Sequence, residues 1–164
     1  MIFALVMLAI LMATILCFII VAPDAAPGHI GADRAIGHRV SKTDVLVSVV
    51  PISLLISVSF LIRPLWDSVP LYLLPFVFFQ SFWIAEGRSD YVRAQTIEFL
   101  RILSGVSSGF FAALLWLQLR VVADLSVPAL APPIVFFVLG ALLLASGIRH
   151  CLRLLPSRWS ADDA

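Results

Sequence analysis

The sequence predicts an all-α membrane protein, a polytopic bundle of about five transmembrane helices. Three observations carry that expectation. Of 164 residues, 62% are hydrophobic and only 13% charged, with a mean hydropathy of +1.08, which is more apolar surface than a soluble domain of this length can bury. Five apolar blocks each reach the length, about 17 to 25 helical residues, that crosses a hydrocarbon core about 30 Å thick. A backbone surrounded by lipid must also satisfy its polar groups internally, which a helix does and an open strand cannot.

In order, the expected spans are residues 1–22, 45–62, 69–85, 102–122 and 130–148, forming one transmembrane domain over 1–164 with polar loops at 23–44 and 86–101. The first, MIFALVMLAILMATILCFIIVA, has no Lys or Arg before it and a longer apolar run than the roughly 7 to 15 residues of a signal peptide. It is expected to persist as a helix. The second begins just after Asp44, a residue suited to a helix start ahead of VLVSVV. The third, VPLYLLPFVFFQSFWIA, is short, holds Pro75 in its interior and carries Gln80. Four spans plus one kinked or re-entrant segment is therefore the alternative. The fourth places Ser104, Gly105, Ser108 and Gly109 at i and i+4 on one face. Small residues there let a second helix approach closely, whether from this chain or from another copy in a homo-oligomer. The fifth opens on Pro132 and Pro133, which fit a first helical turn whose donors are unpaired anyway.

Between the third and fourth spans, EGRSDYVRAQTIEFLR is expected to enter the membrane as a solvated helix capped by Ser89 or Asp90, with Asp90–Arg93 and Glu98–Arg101 paired at i, i+3. After the last span, Arg149, Arg153 and Trp159 suit contact with lipid headgroups. Membrane lipid is thus the first expected partner. A net charge of +1 gives no basic field for nucleic acid. The two cysteines, Cys17 and Cys151, form neither a disulfide framework nor a metal knuckle.

Lys and Arg resist translocation, so their distribution sets orientation. With five spans, Arg34, Arg39, Lys42, Arg88, Arg93, Arg101, Arg149, Arg153 and Arg158 fall on one side and Arg63 and Arg120 on the other. That count puts the start of the chain outside and its end inside a bacterial cytoplasmic membrane. Trp66 and Tyr72 would then mark one interface, and Trp83 and Tyr91 the other.

The loop APDAAPGHIGADRAIGHRVSK, residues 22–42, is the candidate site. Pro23 and Pro27 stop the first helix, while Gly28, Gly31 and Gly37 free the backbone to turn. His29, Asp33 and His38 carry nitrogen and oxygen donors that suit zinc. Their H-x3-D-x4-H spacing matches no standard helical ligand pair, so no metal or other cofactor is assigned. No catalytic residue is assigned either: the chain has no nucleophile elbow, no phosphate-cradling loop and no paired acids on one span.

The pattern Pro23-Asp24-x-x-Pro27-x-His29, with Ser41-Lys42 following at 12 and 13 residues after the histidine, resembles the small membrane domain at the N-terminus of the bacterial SdpI family, named for immunity to a sporulation-delaying toxin peptide. Ile30, Arg34 and Gly37 stand where that family usually has an aromatic, a glycine and an acidic residue. The resemblance implies a non-enzymatic, immunity-like binding module in which Pro23, Asp24, Pro27, His29, Ser41 and Lys42 meet a peptide or protein ligand. It also implies an outward-facing loop, opposite to the charge count over five spans. A small transporter or channel component and a metal-dependent membrane enzyme using the loop histidines are the alternative functions.

Overall fold

The computed structural model describes residues 1–27, 39–122 and 131–156, with backbone alone for 25–27, 39–40, 121–122 and 131–132. Helix α1 spans Ile2–Val21. Two three-residue strands, β1 (Ala25–Pro27) and β2 (Arg39–Ser41), pair as a small antiparallel ribbon. Helix α2 (Lys42–Leu61) leads to the short α3 (Arg63–Ser68), a 3-10 turn at Leu71–Leu73 and the short α4 (Gln80–Ala85). Two long helices follow, α5 (Ser89–Val122) and α6 (Ala131–Arg153).

Four of these helices are long and apolar enough to cross a membrane: α1, α2, α5 and α6. The expected third span is not among them. Residues 69–85 break into the 3-10 turn and α4, because Pro70 and Pro75 each remove a backbone donor and Phe76 and Phe79 sit at φ of 61° and 58°. Hydropathy alone cannot register such a break, since most side chains around it are still apolar. Four helices and one broken segment, the alternative reading of the sequence, describe the fold. An even number of crossings also returns a chain to the side it started from, so opposite sides for its two ends no longer follow.

Helix α5 is the hub, since α1, α2 and α6 all pack against it while α1 and α2 scarcely meet. Its 34 residues make it roughly 51 Å long, well beyond a hydrocarbon core of about 30 Å. Gly105 lies against Phe3 and Ala4, and Gly109 against Met7 of α1 and Leu139 of α6. The matching four-residue steps show that α1 runs parallel to α5. On the other flank, the Ser104 hydroxyl donates to the Ser57 carbonyl at 2.6 Å, and Ser108 Oγ lies 2.8 Å from Ser57 Oγ. These hydroxyls are fully buried, so each depends on its neighbour for the hydrogen bond that water would otherwise supply. Towards the ribbon, Leu11, Ile15 and Phe18 of α1, Val45 of α2, and Ala112, Leu115 and Leu119 of α5 close one apolar core.

The start of α1 lies level with Gly105, so residues 89–101 of α5 run roughly 20 Å beyond it. A second core forms on this overhang from Leu71, Leu74, Trp83, Val92 and Leu154, with Trp66 and Tyr91 packed against it. Trp66, Trp83 and Tyr91 therefore gather at one end of the bundle, instead of marking two interfaces.

The close approach at Gly105 sets a measurable limit. A Cβ there would lie 2.5 Å from the Phe3 ring and 3.2 Å from the Ala4 backbone, whereas one at Gly140 would meet nothing within 4 Å. Gly105→Leu is expected to destabilise the bundle by about 1 to 3 kcal/mol, and Ser57→Ala by about 0.6 kcal/mol. Unfolding of purified protein in mixed micelles by increasing dodecyl sulfate checks both, with Gly140→Leu expected to unfold like the parent.

Candidate functional site

At one end of the bundle, the residues expected to form the loop site meet at its base. Pro23 disfavours helical geometry in the preceding residue, and Ala22 is extended at ψ 133°, which ends α1. The ribbon then pairs Ala25 with Ser41, Ala26 with Val40 and Pro27 with Arg39. Ser41 is the N-cap of α2, its hydroxyl accepting from the Asp44 N–H at 3.0 Å. Asp44 adds a carboxylate to the positive end of that helix. The Lys42 N–H donates to the Asp24 carbonyl at 2.7 Å, and its ammonium donates to the Ala22 carbonyl at 2.8 Å.

Lys42 thus joins the last turn of α1 to the first turn of α2. Five of the six expected ligand-binding positions, Pro23, Asp24, Pro27, Ser41 and Lys42, come together here, and at least two of them hold the backbone in place. His29, with the weak metal candidates Asp33 and His38, lies outside the described residues. Among the described residues no group of three His, Cys, Asp or Glu side chains could hold a metal ion.

At the other end, the α5 overhang organises a second polar cluster that the sequence reading had not assembled. Arg93 Nη1 lies 2.8, 3.0 and 2.7 Å from the carbonyls of Trp66, Asp67 and Val69. Carbonyls in the last turn of a helix have no partner within it, so this guanidinium caps α3. Trp66 Nε1 also donates to the Ser59 carbonyl at 2.8 Å, folding α3 back on the end of α2. Helix α4 closes differently: Gly87, at φ +66°, lets its own N–H reach the Ile84 carbonyl while the Arg88 N–H reaches that of Trp83.

The end of α6 completes this cluster. Arg153 Nη1 donates to Gln95 at 2.6 Å and to Glu98 at 3.1 Å, and Arg149 pairs with Glu98 at 3.8 Å. His150 Nε2 lies 2.9 Å from the Phe76 carbonyl. A carbonyl only accepts, so that nitrogen carries the proton. The imidazole is stacked on Phe99 at 4.7 Å, and the Phe76 ring meets Phe99 edge-on at 5.3 Å. Two contacts, themselves braced by the stacking of His150 on Phe99, therefore hold Phe76 in the left-handed region, where a non-glycine residue costs about 1 to 3 kcal/mol.

The expected i, i+3 pairs are displaced by these longer-range partners. Arg93 turns to carbonyls 24 to 27 residues back, and Glu98 turns to α6, 55 residues ahead of it for Arg153. An isolated pair on a solvated helix contributes only a few tenths of a kcal/mol, so a partner offering several bonds wins readily. One signal was present in the sequence: Arg149 and Arg153 are four apart, which puts both guanidiniums on one face of α6 and within reach of one carboxylate.

Because Arg93 serves three carbonyls at once, Arg93→Gln is expected to loosen residues 63–74 by about 1.5 to 3 kcal/mol. Amide hydrogen exchange checks this, with faster exchange over 63–74 and unchanged protection in α1.

Compared with known proteins, the chain matches no family model, no curated protein and no solved structure.

Proposed function

We propose that the chain is a multi-pass protein of a bacterial cytoplasmic membrane that acts as a non-enzymatic, immunity-like binding module, presenting residues 23–41 to a peptide or protein ligand at the outer face. The observation that carries this reading is the fastened base of that segment. Lys42 and the ribbon hold its two ends together, and the Ser41 cap fixes the start of α2 beside them, which makes a fixed base. Ordering the ends beforehand lowers the conformational cost of binding.

Orientation follows from four spans. By position in the chain, Arg63, Arg88, Arg93, Arg101, Arg149, Arg153 and Arg158 then share one side, and Arg34, Arg39, Lys42 and Arg120 the other. Seven against four favours the overhang end as cytoplasmic. The loop then faces outward, as the resemblance to the SdpI family also implies, and the opposition that five spans created is removed.

Two experiments test the reading. In a chain carrying Cys17→Ser and Cys151→Ser, a membrane-impermeant thiol reagent is expected to label Ala35→Cys in intact cells and Glu86→Cys only after the membrane is opened. The reverse pattern overturns the orientation. Cells producing the chain should also survive a higher dose of a secreted, membrane-active toxin peptide than cells whose copy has a Gly/Ser linker in place of residues 28–38. Equal survival removes the immunity reading.

A further inference from the structure

We propose that the end of α6 carries a binding site for one anionic glycerophospholipid, with its phosphate held by Arg149 and Arg153 and an acyl chain lying along Ala145, Ile148 and Leu152. This rests on the membrane reading above and adds a ligand at the opposite end from the loop. These five residues line one open groove on the outer side of α6. Its floor is hydrocarbon at Ala145 and Ile148, and its two guanidiniums begin just beyond them, flanking Leu152, so that apolar surface gives way to basic groups along the helix as it does along a phospholipid.

Charge complementarity selects the anionic class. Among the described residues, two guanidiniums stand against the single carboxylate of Glu98, leaving one positive charge for a phosphodiester to meet. The two arginines are not equally committed. Arg153 is one-third exposed and hydrogen-bonded to both Gln95 and Glu98. The Arg149 side chain is 60% exposed, and its 3.8 Å ion pair with Glu98 is too long for a hydrogen bond. Its fork of N–H donors thus remains for an oxygen acceptor, and bidentate capture of phosphate is the geometry that a guanidinium favours.

Depth is consistent with this occupant. From Ile134 to Ile148, α6 is an uncharged and mostly apolar stretch roughly 22 Å long, and Arg149 follows it directly. The guanidiniums therefore fall where hydrocarbon gives way to headgroups. Ile148 and Leu152 are outward and exposed, on the side away from α5, where an acyl chain can cover them. A choline headgroup would bring a third cation beside the arginines, so a zwitterionic lipid gains less. Free inorganic phosphate would leave the apolar floor uncovered.

Native mass spectrometry of the full chain, purified in mild detergent, tests the site with equimolar phosphatidylglycerol and phosphatidylcholine of matched acyl chains. One phosphatidylglycerol is expected to be retained in preference. Arg149→Gln should reduce that preference about fivefold, the effect of one basic residue near an anionic surface. Arg149 is exposed, so the variant leaves the packed core intact, and Arg63→Gln, at the same end but paired with Asp67, should keep the parental preference. Equal retention of the two lipids, a preference unchanged by Arg149→Gln, or displacement of phosphatidylglycerol by an equal concentration of inorganic phosphate would overturn the site. An alkaline wash of membranes separates the two readings. A chain that resists extraction yet shows no lipid preference sinks the lipid site alone, and a chain that washes off sinks both.

Discussion

The contact on which the rest of the structure depends is the meeting of α1 with α5 at Gly105. The Phe3 ring and the Ala4 backbone occupy the space that a side chain at Gly105 would need, so the two helices approach to backbone distance. Between helices in an apolar surrounding, dispersion forces do most of the work, and those forces fall steeply with separation. The same close approach fixes the height of α1 on α5. From that height, Leu11, Ile15 and Phe18 meet Ala112, Leu115 and Leu119 further along, and Ser104 and Ser108 are left on the adjoining strip to bind Ser57 of α2.

A consequence of that register is the overhang. Helix α5 begins far ahead of α1, and its uncovered first turns become the scaffold for everything between α2 and α5. Residues that would otherwise be a loose connection are gathered there: Arg93 closes α3, Trp83 packs on Val92, and His150 of α6 holds the carbonyl of Phe76. The backbone of Phe76 and Phe79 is costly in isolation. At Phe76 it is maintained because α6 supplies His150 to the carbonyl and α5 supplies Phe99 to the ring.

The two ends of the bundle are therefore built on different principles. At the ribbon end, a lysine and two paired strands tie the end of α1 to the start of α2, and a serine caps α2. At the overhang end, long cationic side chains bridge separate helices and leave part of their charge at the surface. Under the proposed orientation the first end meets what arrives from outside, and the second meets the inner leaflet.

By itself the sequence determined the helical class, the presence of four long apolar helices and the sharp stop before Pro23, because hydropathy, helix length and proline stereochemistry are local properties. Ser104, Gly105, Ser108 and Gly109 could be read as a packing face, since helical spacing places them together, although not which helices they would meet. Ser41 and Lys42 stood out by their spacing from His29, and the Ser41 bond to Asp44 is a local helix cap, but the Lys42 bond to Ala22 spans 20 residues and depends on the ribbon bringing the end of α1 to the start of α2. Only the tertiary structure decided that residues 69–85 fold back instead of crossing, because the competing states are equally apolar and differ in where backbone groups find partners. The same holds for Arg93, Glu98 and His150. Their partners lie tens of residues away, and no pattern along the chain states which distant carbonyl or guanidinium packing will bring within 3 Å.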